Sequence, residues 1–527
     1  MKVLISDVLG EAGIKIFQDE DGIEVDVNTG LSPEELKAII GNYDGLVIRS
    51  ATKVTEDLLE AATNLKVVGR AGIGLDNVDI PAATKKGVAV MNTPGGNVVT
   101  TAEHSLSLMM ALTRNIPQGT ASLKDGRWDK KKLQGREVFN KTLGVIGFGN
   151  IGSIVADRAR GLKMRVVIHD PVVQAEVIEK EGFEWVSLEK LFQESDYITV
   201  HVPKTKNTTG LINKAAFDQM KDGVMIVNCA RGGIVDEDDL YDAMTSGKVA
   251  GAALDVFTIE PASADLPLLK LDNLIATPHL GASTKEAQTN VAVAVANQII
   301  EYLKNNNIIN AVNVPAVSGK LLEQLGPFLT LADRMGCMQA QLVTGQLKEI
   351  RIEYNGDFHG LDLKPVTTAF LKGVLDSLIS DGVNSVNAPM LAKEMGIKVS
   401  ETSMADSDKF LNRISVTVVT TEMECTVAGS VFGKSDARIV RIDDFIIEIV
   451  PEGYLTIIHN LDEPGAIGSI GNTLGENNIN ISQMQVGTAV GGENNIILIK
   501  TDVPMSDDIK NKVQALPKVK TIQTLEL

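Results

Sequence analysis

Residues 142–152 read TLGVIGFGNIG, and this stretch decides the fold of the middle of the chain. Its strand-like first half runs directly into glycines spaced as GxGxxG, at Gly147, Gly149 and Gly152. After a strand, the first glycine permits a tight turn, the second lets a pyrophosphate approach the N-terminus of the next helix, and the third packs that helix on the strand. The stretch therefore predicts the first βαβ unit of a Rossmann-type sheet that binds a dinucleotide.

An acidic residue at the end of the next predicted strand specifies the dinucleotide. Asp170 closes the run MRVVIHD and lies 18 positions after Gly152. A carboxylate at this place accepts hydrogen bonds from a ribose diol and repels a 2′-phosphate, so it favours NAD over NADP. A turn that binds no ligand is the alternative explanation of the glycines, but their pairing with Asp170 favours an NAD site.

The segments on both sides of this unit continue the α/β pattern. Six strand-like runs follow one another from residue 141: KTLGVI, MRVVIHD, DYITVHVP, VMIVNCA, GAALDVF and NLIAT. The first 95 residues contain a shorter series of the same kind, and a long helix from about 284 to 305 is placed to return the chain to that first lobe. We therefore predict an α/β protein whose two lobes each contain a parallel sheet.

The remainder of the chain is also α/β, with a different order of elements. Residues 315–445 begin with a predicted linker, NVPAVSGK, and carry no catalytic motif. From Gly453 the runs follow the order βαββαβ, which is the ferredoxin-like plan. Because 527 residues are too many for one core, these breaks predict separate domains.

Charge and cysteine content argue against several classes of protein. With 50 Lys plus Arg against 68 Asp plus Glu, the net charge of -18 disfavours nucleic acid and anionic membranes as partners. Cys229, Cys337 and Cys425 form no CxxC pair, so we expect neither a disulfide scaffold nor a metal site. Without a signal-peptide core or a long uncharged apolar run, the chain is expected to be cytoplasmic.

Three polar residues follow strands of the predicted Rossmann sheet: Arg231 after VMIVNCA, Glu260 beyond ALDVF, and His279 after NLIAT. Loops at this edge line the crevice beside the nicotinamide. His279 suits removal of a hydroxyl proton, the planar fork of Arg231 matches a carboxylate, and Glu260 would orient the imidazole. Each residue alone has an ordinary explanation as a cap, a surface charge or a turn. Together they predict oxidation of a 2-hydroxy acid.

These residues lie in stretches that resemble the D-isomer-specific 2-hydroxyacid dehydrogenases. The resemblance covers residues 1–310 almost continuously, in RSATKVT, VGRAGIGLDNVD, MNTPGGN, GVIGFGNIG, NCARGGIVDEDDL, AALDVF and PHLGAST. It implies Arg231, Glu260 and His279 as the catalytic set. Besides the glycines of the turn, it implies NAD contacts at Asn150, Ile151, Asp170, Val202, Cys229, Arg231, Asp255, His279 and Gly281.

The resemblance also divides the chain into domains, because the family is two-lobed. It implies a discontinuous substrate-binding domain (1–95 plus 284–308) and an NAD-binding Rossmann domain (96–283). An intervening regulatory domain (315–445) and an ACT domain (453–527) would follow, as in the long members of the family that oxidise D-3-phosphoglycerate.

Two arginines of the first lobe bear on the substrate. Arg49 in IRSAT and Arg70 in VGRAG follow strands and would face the same cleft. Two guanidiniums can clamp a phosphate dianion against the field of an acidic protein, with surface salt bridges as the alternative explanation. The backbone N–H groups of Gly72 and Ile73, with Arg231, are predicted to hold the substrate carboxylate. With the resemblance, this pattern implies D-3-phosphoglycerate as the substrate.

The C-terminal unit resembles an ACT domain, a small-molecule sensor that commonly pairs across subunits. The resemblance maps a serine site onto Asn460 and Asp462 in HNLDEPG and onto Asn480 in NNINIS. A turn with a helix cap is the alternative explanation for NLDEPG, and Asn460 departs from the side chains that related sensors carry there. We expect L-serine as the effector and, from the family, a homotetramer.

Two other functions stay open on the sequence alone. A sibling dehydrogenase that acts on glyoxylate, lactate or another small 2-hydroxy acid needs no phosphate clamp. An NAD(H)-sensing corepressor on the same scaffold needs no intact proton-transfer set. The leading prediction is an NAD-dependent enzyme that oxidises D-3-phosphoglycerate to 3-phosphohydroxypyruvate, the entry step of serine synthesis, with feedback by serine.

Overall fold

The computed structural model describes residues 1–315, 320–358, 360–379, 382–404, 411–488 and 494–527. Within these ranges the chain forms four sheets, each at the centre of one α/β unit. The predicted fold class, with two parallel sheets followed by a regulatory α/β unit and a ferredoxin-like unit, is confirmed. No helix of the described ranges is long and apolar enough to cross a membrane.

The first lobe is built on a five-stranded parallel sheet in the order β2-β1-β3-β4-β5. Its elements are β1 (Lys2–Ile5), α1 (Glu11–Gln18), β2 (Glu24–Val27), α2 (Pro33–Ile39), a 3-10 turn (Ile40–Asn42), β3 (Gly45–Ile48), α3 (Glu56–Ala61), β4 (Val67–Arg70), α4 (Ile80–Lys85) and β5 (Ala89–Met91). Strand β2 was not predicted, because its residues EVDV are partly exposed and lack an apolar run.

The second lobe contains a seven-stranded parallel sheet in the order β12-β11-β10-β9-β6-β7-β8. Its strands are β6 (Thr142–Ile146), β7 (Arg165–His169), β8 (Glu184–Trp185), β9 (Tyr197–Val200), β10 (Val224–Asn228), β11 (Val249–Leu254) and β12 (Leu274–Ala276). Its helical elements are α5 (Val98–Thr113), α6 (Ile116–Lys124), α7 (Asn150–Gly161), α8 (Ala175–Lys180), α9 (Leu188–Glu194), α10 (Lys214–Gln219), α11 (Glu237–Thr245) and a 3-10 turn (Pro267–Lys270). All six predicted strands are present; β8 has only two residues, too few for a sequence pattern.

Helix α12 (Lys285–Asn305) leaves the second lobe and packs on the first sheet. Close approach depends on glycines in the partner elements. A Cβ on Gly69 of β4 would lie 2.5 Å from Ile299 and 2.6 Å from Val295, and a Cβ on Gly13 of α1 would lie 2.6 Å from the Ala292 carbonyl oxygen. The three side chains of α12 are buried, so this helix belongs to the core of the first lobe.

The third unit surrounds a six-stranded sheet in the order β14-β13-β15-β16-β17-β18. Its elements are α13 (Lys320–Leu342), β13 (Leu347–Gly356), α14 (Lys364–Asp376), α15 (Ala388–Glu394), β14 (Lys398–Met404), β15 (Asn412–Thr420), β16 (Glu424–Phe432), β17 (Asp436–Ile442) and β18 (Phe445–Ile449). Only β13 and β14 pair in parallel. Buried Gln339 of α13 donates to the carbonyl groups of Val416 and Cys425, which ties the helix to the sheet.

The fourth unit has the βαββαβ order with the sheet order β20-β21-β19-β22. Its elements are β19 (Tyr454–Leu461), α16 (Ala466–Glu476), β20 (Ile481–Thr488), β21 (Asn494–Thr501), α17 (Asp507–Gln514) and β22 (Val519–Glu526). One face of this sheet, including Leu455, Leu498 and Leu525, joins the apolar cluster of the third unit. The two C-terminal units therefore share one core.

We expect Gly13→Ala to destabilise the first lobe by about 1–3 kcal/mol, because the new methyl group would meet the backbone of α12, which has little freedom to move. The midpoint of guanidinium denaturation and hydrogen exchange in α1 and α12 would measure the effect. Gly10→Ala is the matched control, since its Cβ would reach ordinary contact at 3.4 Å from Ala292. Equal midpoints for the two variants would contradict the packing described for α1 and α12.

Candidate active site

A cleft of about 670 Å³ opens between the first two lobes, at the carboxyl ends of their strands. The structure brings most of the sequence-predicted residues together here. Those that line the cleft are Arg49, Arg70, Gly72, Ile73, Gly149, Asn150, Ile151, Val202, Cys229, Arg231, Glu260, His279 and Gly281. Four others, Gly147, Gly152, Asp170 and Asp255, are not among the residues at its surface.

The glycine turn leaves an open cradle at the start of α7. Gly147 has φ +97° and would place a Cβ 2.6 Å from the His201 carbonyl oxygen, so only glycine fits there. A Cβ on Gly152 would overlap the carbonyl oxygen of Gly147. Gly149, at the N-cap of α7, faces open space with no atom within 4 Å of a built Cβ. This backbone can accept a pyrophosphate at the helix N-terminus, so the turn fits NAD.

Asp170 is buried beside that turn, where it holds the backbone in place. One carboxylate oxygen accepts the N–H of Phe148 at 2.7 Å, and the other accepts the N–H groups of Val172 and Val173 at 2.7 and 2.8 Å. Burial raises the pKa of Asp170, but these three hydrogen bonds outweigh it and hold the pKa below its usual range. The carboxylate is therefore ionised near neutral pH, with lone pairs left for a ribose.

Arg231 is held in the cleft by contacts from both lobes. Asn228 at the end of β10 accepts the Ala230 N–H and donates to the Arg231 carbonyl, which fixes the turn. The guanidinium donates from Nε to Asp76 of the first lobe at 3.0 Å. A Cβ on Gly74 would overlap the guanidinium, so the space for Arg231 depends on the absence of a side chain there.

His279 and Glu260 form a direct pair in the cleft. Nδ1 of His279 lies 2.7 Å from Oε2 of Glu260, and the other carboxylate oxygen accepts the Phe257 N–H at 3.1 Å. This arrangement fixes the tautomer with the proton on Nδ1 and leaves Nε2 as an acceptor. The imidazole is about half exposed (48%), so a ligand in the cleft can reach it.

Asp255 fixes the loop that carries His279. Its carboxylate is fully buried and accepts the N–H groups of Leu280 and Gly281 at 2.7 and 2.8 Å and the Thr277 hydroxyl at 2.6 Å. His104 of α5 adds a contact at 3.2 Å.

The charge of Asp255 follows from these contacts. Burial raises the pKa of Asp255, but hydrogen bonds from His104, Thr277 and Leu280 outweigh it and lower the pKa. The stabilisation by this carboxylate is thus complete above the unfolded pKa of about 3.9 and is lost as the pH falls through the lower folded pKa. Family resemblance implies an NAD contact at this residue; the structure places its carboxylate below the cleft surface, where it supports the loop.

Arg49, Arg70 and Arg231 form a cluster of positive charge in the cleft. Arg70 is largely buried, and its Nε has no hydrogen-bond partner among the described residues. Burial first, and then the charge of Arg231, lowers the pKa of Arg70 to about 10; Arg49 also lowers it, while Asp76 partly compensates. With a pKa of about 10, Arg70 is still a cation at neutral pH. A bound anion would offset the mutual repulsion of the three arginines.

The two backbone groups predicted for the substrate carboxylate differ in their surroundings. The N–H of Gly72 donates to the carbonyl of Arg70 at 2.9 Å, so it is already engaged. The N–H of Ile73 has no acceptor within the parts of the chain that the structure describes. Of the two, Ile73 is thus the donor that a substrate can use.

Two further predicted contacts, Cys229 and Val202, line the same cleft as His201. Burial raises the pKa of Cys229 to about 12, so the thiol stays protonated and packs as an apolar group. Val202 is half-buried at the cleft. Next to it, His201 bonds Thr199 at 2.9 Å, and burial lowers its pKa to about 4. His201 is therefore uncharged at neutral pH and, unlike His279, has no carboxylate partner among the described residues.

The three residues predicted to bind the effector do not lie at one place within a single chain. Asn460 is fully buried in β19 and its Oδ1 has no partner among the described residues, while nearby Asp462 accepts from Asn495 at 3.0 Å. Asn480 lies before β20, at the opposite end of the sheet, and donates to Asp502 at 2.5 Å. The length of β19 thus separates Asn480 from the other two.

The structure adds residues that no sequence pattern singles out. Asp76 and Gly74 act through Arg231, and His104 acts through Asp255. In each case the neighbour is more than a hundred positions away in the sequence. Asp76 and Gly74 stand in the quoted stretch VGRAGIGLDNVD, but nothing in its spacing indicates a partner in the other lobe.

Comparisons with known proteins show which family the chain resembles. Residues 106–281 match the NAD-binding domain model of the D-isomer specific 2-hydroxyacid dehydrogenases, residues 324–443 match the D-3-phosphoglycerate dehydrogenase intervening domain, and residues 454–518 match the ACT domain. D-3-phosphoglycerate dehydrogenase of Archaeoglobus fulgidus is 44% identical over 507 residues, which is 96% of each chain. That of Methanocaldococcus jannaschii is 41% identical over all of both chains.

A solved structure resembles part of the chain. NAD-dependent formate dehydrogenase from Staphylococcus aureus, in complex with NAD, has a TM-score of 0.54 and 29% identity. The similarity covers 60% of this chain and all of that one.

We expect Asp255→Asn to lower kcat with D-3-phosphoglycerate about tenfold to a hundredfold, since an amide NH₂ would face N–H donors and loosen the His279 loop. NADH affinity, measured by fluorescence titration, should change little. Asp272→Asn, an exposed site, is the matched control. A loss of NADH affinity as large as the fall in kcat would instead indicate direct contact with the cofactor.

Proposed function

The chain belongs to the D-3-phosphoglycerate dehydrogenases of the D-isomer specific 2-hydroxyacid dehydrogenase family, and we propose that its cleft carries out their reaction with the residues described above. The reaction is the NAD-dependent oxidation of D-3-phosphoglycerate to 3-phosphohydroxypyruvate, the first step of L-serine biosynthesis. One observation carries the assignment of residues. His279 and Glu260 form a pair beside three arginines whose positive charge is not balanced by the carboxylates around them.

His279 is the base of the proposed reaction. Its Nε2 removes the proton of the C2 hydroxyl as the C2–O bond becomes a carbonyl, and Glu260 stabilises the imidazolium through Nδ1. Bound NAD supplies the acceptor for the hydride that leaves C2. The proton and the hydride account for the two hydrogens lost by the substrate. Burial lowers the pKa of His201 to about 4 and its Nε2 is already bonded to Thr199, so His201 is a weaker base and is not suited to this role.

The arginines set the orientation and identity of the substrate. Arg231 with the Ile73 N–H would hold the carboxylate, and Arg49 with Arg70 would hold the phosphate at the first-lobe side of the cleft. Asp76 keeps Arg231 in place by accepting a hydrogen bond from its Nε. When the substrate binds, the Arg231 guanidinium would interact with both the Asp76 carboxylate and the substrate carboxylate. Because burial lowers the pKa of Arg70, an anionic partner there stabilises the charged form strongly.

Turnover is the direct test of the reaction and of the base. We expect the protein to form NADH from NAD and D-3-phosphoglycerate, and His279→Gln to reduce kcat at least a hundredfold while NADH still binds. The absorbance of NADH measures the first and fluorescence titration the second. His104→Gln is a histidine control outside the cleft surface, with a smaller expected loss. A wild-type protein that binds NADH without turnover would favour a sensing protein instead.

The phosphate clamp separates this substrate from those of sibling dehydrogenases. We expect Arg49→Ala to lower kcat/KM for D-3-phosphoglycerate about tenfold to a hundredfold, through loss of a charge-assisted hydrogen bond. Turnover of D-glycerate, which lacks the phosphate, should hardly change. Arg114→Ala, at an exposed site away from the cleft, serves as the matched control. Equal losses of kcat/KM for both substrates would show that Arg49 acts on a part of the substrate other than the phosphate.

Serine feedback at the ACT domain is proposed from the family and from the polar groups at one end of its sheet. Asn460 and Asp462 lie together there, whereas Asn480 lies at the far end. A serine pocket that uses all three therefore needs ACT domains from two copies of the chain, which supports a paired assembly and, with the family, a homotetramer. A cytoplasmic location of the protein is proposed from the same family and from the three free cysteines.

We expect L-serine to inhibit turnover and Asp462→Asn to abolish the inhibition while leaving uninhibited turnover unchanged, because the variant removes the carboxylate that would hold the ammonium of serine. Initial rates across a serine titration measure both. Asp507→Asn, an exposed carboxylate of α17, removes the same charge elsewhere in the domain. Full inhibition in the Asp462 variant would place the effector elsewhere.

A further inference from the structure

A second cavity, about 710 Å³ in volume, lies between the first lobe and the third unit. Thr84 of α4 and Asn313 line it from the first lobe, and the third unit contributes residues of α14, α15 and β14. It shares no lining residue with the catalytic cleft, and it is of similar size. Cavities of this volume are typical of small-molecule sites.

The wall from the third unit is mostly apolar. Leu371, Met390, Ile397 and Val399 line it, and Pro315 adds to it from the end of the first lobe. Leu371 comes from α14, Met390 from α15 and Val399 from β14, and Ile397 directly precedes β14, so different elements contribute to this wall. A ligand that fills the cavity would bury an apolar body.

The polar part of the lining has an excess of positive charge. Lys364 at the start of α14 and Lys393 of α15 are exposed and have no ion pair within the described ranges. The carboxylate of Glu401 is the one acidic group of the lining, and it accepts the Thr367 hydroxyl at 2.6 Å. Thr367 is bonded in turn to buried Tyr354, so this acid is tied to the wall. Two free ammonium groups in a protein of charge -18 then indicate an anionic ligand.

We propose that this cavity binds a small carboxylate with an apolar body, held at its carboxylate by Lys364 and Lys393. A phosphate or sulfate would leave the apolar wall uncovered, and a neutral apolar molecule would leave the two ammonium groups unpaired. The ligand would touch both sides of the junction between the first lobe and the third unit.

Within the described residues that junction has few polar contacts, so a bridging ligand would matter to it. Asn384 donates to the Gly87 carbonyl at 2.9 Å, and Val386 packs into the core of the first lobe. α4 begins four residues after Asp76, which pairs with Arg231 in the catalytic cleft. A ligand at the junction is thus bound next to an element that leads into the catalytic site.

Octanoate is a suitable probe, with calorimetric titration of the full chain saturated with NADH so that the cofactor site is filled. We expect octanoate to bind and 1-octanol to bind at least tenfold more weakly. Lys364→Gln with Lys393→Gln should weaken octanoate by about tenfold or more. Lys180→Gln with Lys348→Gln, exposed lysines elsewhere without ion pairs among the described residues, removes the same charge and should leave the affinity unchanged.

Two further measurements locate the ligand. Met390→Trp should abolish binding by filling the apolar end, and bound octanoate should slow hydrogen exchange in both α4 and α15. All lysine variants should retain turnover, since these residues lie outside the cleft. Absence of octanoate binding, equal affinity in the two double-lysine variants, or protection on only one side of the junction would overturn the proposal.

Discussion

Every strand of the first two sheets runs parallel to its neighbours. In such a sheet all loops that leave the carboxyl ends emerge at one edge, and here the two edges face each other across a cleft. This constraint gathers Arg70, at the end of β4 in the first lobe, with Arg231 and His279, which follow β10 and β12 in the second lobe. The direction of the strands therefore decides where the catalytic residues meet, whatever side chains the loops carry.

Space and charge in the cleft then depend on residues that contribute no chemistry of their own. A Cβ on Gly72 would lie 2.5 Å from the Arg70 guanidinium, and one on Gly74 would overlap that of Arg231. The buried carboxylate of Asp255 holds the His279 loop from beneath. An acidic protein can thus present a local cluster of cations to an anionic substrate, because backbone and buried groups hold those cations together against their repulsion.

The C-terminal half contributes two kinds of junction with different physical character. The third and fourth units share an apolar core that contains Leu455 and Leu498, so the buried residues of both units form one continuous cluster. The junction with the first lobe is less continuous and contains the second cavity. A small ligand in that cavity would therefore contact both the first lobe and the third unit.

The sequence by itself determined the α/β alternation of the two lobes, the NAD turn and the polar residues that follow three strands of the second lobe, since these depend on local patterns with a fixed spacing. Glycines followed by Asp170, and His279 after a strand, could be identified without any knowledge of their neighbours. Strands without an apolar run, such as β2, could not, because only pairing in the sheet defines them.

Only the tertiary structure decided which groups meet. It paired Asp76 with Arg231, placed Asp255 under the His279 loop and engaged the Gly72 N–H with its own turn. It also separated Asn480 from Asn460 by the length of a sheet. The physical reason is that such contacts join residues far apart in the sequence, and hydrogen-bond geometry and burial are properties of three-dimensional neighbours, which one-dimensional spacing does not contain.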